Sequence, residues 1–150
     1  MIPYLLFQTA GGMLAGLTLR IIFGPQGDGA SLGSTKLVTS VSPLTGIGLE
    51  ALGTFILAVS ALAATAWIGR AVLQAIAVGG TLTVLILFIG PLTGAGFNPA
   101  RSLGPALASG YFSNLYVYVI GPLLGALLAG LLFREIRTAR NPGLVRNNSK

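Results

Sequence analysis

The 150-residue sequence contains no cysteine and no histidine. Thiolate and imidazole metal sites, a cysteine or histidine nucleophile and a histidine general base are therefore excluded, and most hydrolytic chemistry goes with them. Acidic charge is almost as scarce: Asp28, Glu50 and Glu135 are the three carboxylates, against nine Lys and Arg. Charged residues of both signs make up only 8% of the chain, where a soluble domain carries about a quarter. With 53% hydrophobic residues and a mean hydropathy of +0.85, this is not the composition of a soluble globular domain. Nor does the net charge of +6 indicate a nucleic-acid partner. Arg134, Arg137, Arg140, Arg146 and Lys150 crowd the C-terminus instead of spreading over a binding face.

Long apolar runs are what the sequence has in quantity. At about 20 residues per spanning helix, four are expected: about 3–23, 44–68, 71–89 and 115–133. The first lacks a basic leader and ends at Arg20 and Gly24-Pro25, so a cleaved signal peptide is the weaker reading. Gly69-Arg70 separates the second run from the third, and so short a connection makes those helices antiparallel neighbours. Residues 24–43 mix Gly, Ser and Thr with Asp28 and Lys36 and read as a solvent-side loop. Their glycines have no phosphate-binding spacing. The expected organisation is a membrane domain over 1–136 and a basic tail over 137–150.

Positive charge sets the orientation. Arg70 and the five C-terminal cations fall on one side of four alternating spans, Arg20 and Lys36 on the other. The richer side is cytoplasmic by the positive-inside rule, which puts both termini inside; the expected location is the cell or plasma membrane. The sequon Asn147-Asn148-Ser149 then faces the cytoplasm and reads as a chance match.

Residues 90–113 are too apolar for a free loop, yet Pro91, Pro99 and Pro105 interrupt them too often for a span. Asn98 is a favoured helix cap, and Pro99 suits the first helical position, where its missing N–H costs nothing. A helix from there to about 108 rises about 16 Å, half of the hydrocarbon core. Irregular backbone followed by a half-helix is tolerated at membrane depth only inside protein or beside water. An isolated Asn-Pro pair is ordinarily a helix cap in an external loop. Apolar flanks, two firm spans on either side and the charge of Arg101 one turn into the helix favour a re-entrant segment beside an aqueous path.

The run TGAGFNPARSLGPAL resembles the second NPA box of the aquaporin (major intrinsic protein) family. Tyr4, Gln8 and Gly11-Gly12 resemble that family's third span, Glu50 with Thr54-Phe55 the fourth, and Gly121-Pro122 the sixth. The resemblance covers spans three to six. It implies an all-α membrane protein: a partial aquaporin-like right-handed helical bundle of four transmembrane helices and one re-entrant half-helix. The implied function is a passive channel for water and small neutral solutes such as glycerol, urea or ammonia, with no enzymatic activity, cofactor or metal. Asn98, Pro99 and Ala100 correspond to the pore motif. Arg101, Ile86 and Ala95 correspond to the selectivity constriction, which an apolar Ile86 and a small Ala95 make less polar and roomier. Ser102 and Ala106 depart from the acidic and basic residues typical of glycerol-conducting members.

The only other Asn-Pro, at Asn141-Pro142-Gly143, is followed by Gly and reads as a turn. The family's first two spans and first NPA box are therefore expected from a missing N-terminal half or a complementary chain, and complete channels are expected to form homotetramers in the lipid bilayer. Glu50, the one acidic residue inside a span, reads either as a proton relay or as a loop brace that accepts hydrogen bonds. The resemblance implies the brace. Gly12-Gly16 and Gly121-Gly125 have the GxxxG spacing of close helix crossings, a frequent chance match among 22 glycines. Two alternative functions stand beside the channel: a truncated non-conducting subunit that joins full-length channels, and half of a secondary transporter.

Overall fold

The computed structural model describes residues 2–24 and 31–140. These form α1 (Ile2–Phe23), a short 3-10 turn (Ser31–Gly33), α2 (Pro43–Trp67), α3 (Ala71–Thr93), α4 (Pro99–Ser109) and α5 (Val117–Arg140). Among the described residues there is no strand, and α1, α2, α3 and α5 are each long and apolar enough to cross a membrane. The result is an all-α membrane protein with four spans and, in α4, a half-helix of 11 residues. Asp28, Arg146, Lys150, the sequon and the Asn141-Pro142-Gly143 turn lie outside the described residues.

Local chemistry explains where the helices begin and end. Ser42 caps α2 by accepting the Thr45 N–H at 3.1 Å, and Pro43 takes the first position. Gly69 follows the end of α2, and α3 begins at Ala71. That helix runs through Pro91 to Thr93, past the end expected at Ile89. A proline in the final turn removes only one backbone hydrogen bond. Gly94 then closes the helix in the left-handed conformation, at φ 81°, donating its N–H to the Gly90 carbonyl. Beyond Phe133, α5 continues to Arg140, because residues 134–140 contain no Gly or Pro to stop it.

Two close crossings hold the bundle together. α2 packs along α5 and against α3, while α1 packs along α4. A Cβ on Gly121 would lie 2.7 Å from Glu50 Cβ, and one on Gly125 would strike the Ala51 carbonyl of α2. On the other side, a Cβ on Gly104 of α4 would lie 2.6 Å from Gly12 Cα, and one on Gly16 would lie 2.8 Å from Ala108 Cβ. Both GxxxG spacings therefore serve close contacts, closer at Gly16, Gly121 and Gly125 than at Gly12, and the half-helix lies against α1 backbone to backbone. Ser60 and Thr81 join α2 to α3 through a hydroxyl pair at 3.0 Å. Leu6, Phe7 and Ile21 of α1 and Leu87 and Phe88 of α3 stay exposed, as membrane-facing or partner-facing surfaces do.

The crossings predict a contrast between two glycines. Gly125→Ala is expected to destabilise the chain by about 1–3 kcal/mol through overpacking. Gly79→Ala, where an added Cβ meets nothing within 4 Å, is expected to be neutral or stabilising by up to about 1 kcal/mol. Chemical unfolding in detergent, followed by helical circular dichroism, measures both.

Candidate functional site

Between α3 and α4 the chain makes an abrupt turn whose backbone is intrinsically unfavourable. Besides Gly94, both Ala95 and Phe97 adopt the left-handed region, each at φ 49°. A non-glycine residue is rare there and persists only when its surroundings fix it. Here they do. The fully buried Glu50 carboxylate accepts the Phe97 N–H at 2.7 Å on Oε2, and on Oε1 the Gly96 N–H at 3.0 Å and the Thr93 hydroxyl at 2.6 Å. Thr93 Oγ1 in turn accepts the Ala95 N–H at 3.1 Å. The Tyr118 hydroxyl donates to the Thr93 carbonyl at 2.7 Å, and the Thr54 hydroxyl donates to the Phe97 carbonyl at 3.3 Å. Phe97 itself covers Gly53, in a small apolar cluster with Leu85, Ile89 and Ala95.

Once the turn is fixed, the position of Asn98 follows. Its backbone is extended, and its Oδ1 accepts the Ala100 N–H at 3.0 Å, so the side chain caps α4 while Pro99 opens the helix. That bond commits the amide oxygen and directs the NH2 group away from the helix, toward Gln8 of α1, whose Oε1 lies 3.4 Å from Nδ2. Three cavities meet at Asn98. One of about 330 Å³ is bordered by Gln8, Thr54, Ala58, Pro99 and Pro122. A second, of about 410 Å³, follows α1 from Gln8 past Gly12 and Gly16 to Gly33. The third, of about 270 Å³, is bordered by Ile86, Ala95, Asn98 and Arg101. The positive end of the α4 dipole thus lies where the cavities converge.

Arg101, Ile86 and Ala95, which the family resemblance assigns to the constriction, border one cavity together. Ile86 is 46% exposed, whereas Ala95 is buried. Arg101 Nη1 donates to the Gly33 carbonyl at 2.9 Å. Part of the segment read as a solvent-side loop thus folds down onto the bundle. Leu32 and Thr35 are buried, and Val38 donates its N–H to the Leu92 carbonyl at 3.0 Å. Ser102 and Ala106 are buried and border none of the three cavities.

Thr93, Tyr118 and Gly33 were not singled out in the sequence. The first two are single polar residues in apolar surroundings, and the third acts through its carbonyl alone, so only the fold reveals their part. Gln8 and Thr54 carried a signal, as polar residues inside spans, but their partners lie 90 and 43 positions away in the chain.

Four membrane-crossing helices with an Asn-capped half-helix re-entering among them define a class of helical membrane protein, and comparison with known proteins narrows it. The chain belongs to the major intrinsic protein family, whose model matches residues 1–133. Putative aquaporin NIP4-1 of Arabidopsis thaliana is 39% identical over 141 residues, 93% of this chain and 48% of that protein. Aquaporin NIP1-1 of Zea mays is 36% identical over 93% of this chain and 48% of its own length. Aquaporin NIP1-2 of Oryza sativa subsp. japonica is 35% identical over 93% of this chain and 47% of its own. The chain spans about half the length of the curated relatives it matches. Proteins of this family are channels and not enzymes.

The hydrogen bonds at Glu50 predict graded mutational effects. Glu50→Leu leaves the Gly96 and Phe97 N–H groups and the Thr93 hydroxyl without their acceptor, at about 1–3 kcal/mol for each buried group. Glu50→Gln retains one accepting oxygen and is expected to lose less than half as much stability. Thermal melts in detergent separate the two, and equal melting points for Leu, Gln and wild type would remove the carboxylate from this account.

Proposed function

We propose that this chain supplies the Asn98-bearing half of a passive channel through which water and small neutral solutes cross the bilayer. The observation that carries the reading is the convergence of three cavities on Asn98, one of which is bordered by Arg101, Ile86 and Ala95 together. The aquaporin names of the relatives support it.

In this reading the Asn98 NH2 group donates to the oxygen of a passing molecule, because its own oxygen is held by Ala100. Arg101 and the α4 dipole raise the local potential and oppose cations, including the hydrated proton. Ile86 and Ala95 line the path with a branched apolar wall and a small one, which favours uncharged solutes such as urea, glycerol or ammonia beside water. Glu50 is the brace of the turn that sets Ala95 and Asn98 in place. The excess of Arg and Lys at the ends of α2 and α5 supports cytoplasmic termini in a cell membrane.

The described residues contain one Asn-capped half-helix, and each relative named above is about twice as long as the matched segment. A complete pore therefore needs a second half-helix from two further spans, in the same polypeptide or a complementary one, with complete pores assembling as tetramers. The same observations favour a second reading, a subunit that joins full-length channels without conducting by itself.

Stopped-flow shrinkage of proteoliposomes tests the proposal. The chain co-reconstituted with a polypeptide carrying two spans and the other NPA half-helix is expected to shrink faster than empty liposomes, and faster than the chain alone. Mercury should not inhibit flux through this chain, which has no cysteine. Complemented liposomes no faster than empty ones would leave the non-conducting reading. In the conducting assembly, Arg101→Val is expected to raise proton or cation leak about tenfold, the effect of removing about 1.4 kcal/mol from the barrier. Unchanged ion exclusion at equal protein abundance would remove Arg101 from selectivity.

A further inference from the structure

At the end of the bundle away from the turn, a cavity of about 340 Å³ lies against α2 and α5, bordered by Leu62, Gly130, Phe133, Arg134, Arg137 and Thr138. It shares no residue with the three cavities at Asn98. Leu62 lies 12 residues along α2 from Glu50, about 18 Å away. Its lining changes character along α5. Leu62, Gly130 and Phe133 make an apolar floor, and one turn further Arg134, Arg137 and Thr138 make a polar rim with two cations.

Three observations bear on what this cavity holds. In contrast to Gly121 and Gly125 on the same helix, Gly130 faces open space: a Cβ there would find no atom of another element within 4 Å. The floor is therefore open space beside a helix that is otherwise packed through its glycines. Trp67, at the end of α2, meets Phe133 with ring centroids 5.7 Å apart. Tryptophan at a span end favours the headgroup level of a bilayer, which places the rim among lipid phosphates and the floor among the first acyl carbons. The one carboxylate near the rim, Glu135, is 3.8 Å from Arg134 Nε, but both side chains are about three-quarters exposed and Glu135 does not border the cavity. So exposed a pair contributes little and leaves the rim cationic.

We propose that this cavity is a binding site for one anionic glycerophospholipid. The phosphate lies between the Arg134 and Arg137 guanidinium groups, with the Thr138 hydroxyl as a further donor, and an acyl chain runs over Gly130 and Leu62. Planar guanidinium groups match phosphate oxygens in pairs, and two of them one turn apart suit a single headgroup. A free phosphate ion would use the arginines and have no use for the open floor. A lipid uses both, which is why the lipid is the occupant the cavity fits. This inference does not depend on whether the chain conducts.

Trp67 is the only tryptophan and touches the cavity wall, so it reports occupancy directly. The full chain is placed in phosphatidylcholine bilayers containing a small fraction of either phosphatidylglycerol or phosphatidylcholine with brominated acyl chains, and Trp67 fluorescence quenching is compared. The anionic lipid is expected to quench at roughly one-tenth the mole fraction that the zwitterionic lipid requires. Arg137→Gln is expected to weaken that preference, and Arg134→Gln with Arg137→Gln to abolish it. Arg70→Gln removes the same single charge from a residue that does not border the cavity and is expected to preserve it. Gly130→Leu, which fills the floor, is expected to abolish the preference with both arginines present, and circular dichroism checks that each variant keeps its helix content. Millimolar inorganic phosphate is expected to leave quenching unchanged. Equal quenching by both lipids, an equal loss with Arg70→Gln and Arg137→Gln, an unaffected Gly130→Leu or displacement by inorganic phosphate would each overturn the proposal.

Discussion

A carboxylate buried in an apolar span cannot stand alone, and the arrangement of this molecule follows from how Glu50 meets that requirement. Its two oxygens accept from Thr93, Gly96 and Phe97, and these donors lie on the stretch of backbone least able to hold its own shape, with Ala95 and Phe97 both left-handed. Two liabilities answer each other. The carboxylate lacks water, and the turn lacks a regular hydrogen-bonding pattern. Without the turn the acid loses the donors that satisfy it at that depth; without the acid the turn loses the acceptor of its Gly96 and Phe97 N–H groups, and the hydroxyls of Thr93, Thr54 and Tyr118 are left to hold it.

From that point the geometry propagates through contacts with little slack. The turn sets Asn98, Asn98 starts α4, and α4 lies on α1 where Gly104 meets Gly12. On the opposite face, α5 approaches α2 so closely at Gly121 that an added methyl would touch Glu50 itself. The absence of side chains at these glycines has the same structural weight as the presence of one at Glu50, since it lets the two backbones that flank the site come within reach of it.

Much of this could be read from the chain alone, for identifiable reasons. Spans are legible because the bilayer demands about 20 apolar residues in a row, and the half-helix because Asn98-Pro99 is a local capping signal. Arg101, Ile86 and Ala95 could be grouped only through family resemblance, because no periodicity links a span residue to a turn residue nine positions later. Thr93 and Tyr118 escaped notice because a lone hydroxyl in an apolar segment looks the same whether it faces lipid or a carbonyl. The ends of α3 and α5 were underestimated because Pro91 and the charged residues after Phe133 look like breaks, although a terminal proline and a projecting arginine both fit a helix. The 31–38 segment looked solvated because its composition is that of a loop; what it contributes to the site is a main-chain carbonyl, which composition does not record.

That carbonyl gives the segment an unexpected standing. Gly33 and Arg101 are 68 positions apart, yet a single hydrogen bond makes the shape of the one the resting place of the other. The guanidinium is therefore not located by its own helix alone. It is suspended between α4 and a surface connection, the part of a protein whose length and composition ordinarily drift most freely. A residue inserted or lost near Gly33 would re-aim a charge it never touches in sequence, so the width and potential of the opening beside Ile86 are in part a property of a loop, and two chains with identical spans could differ there.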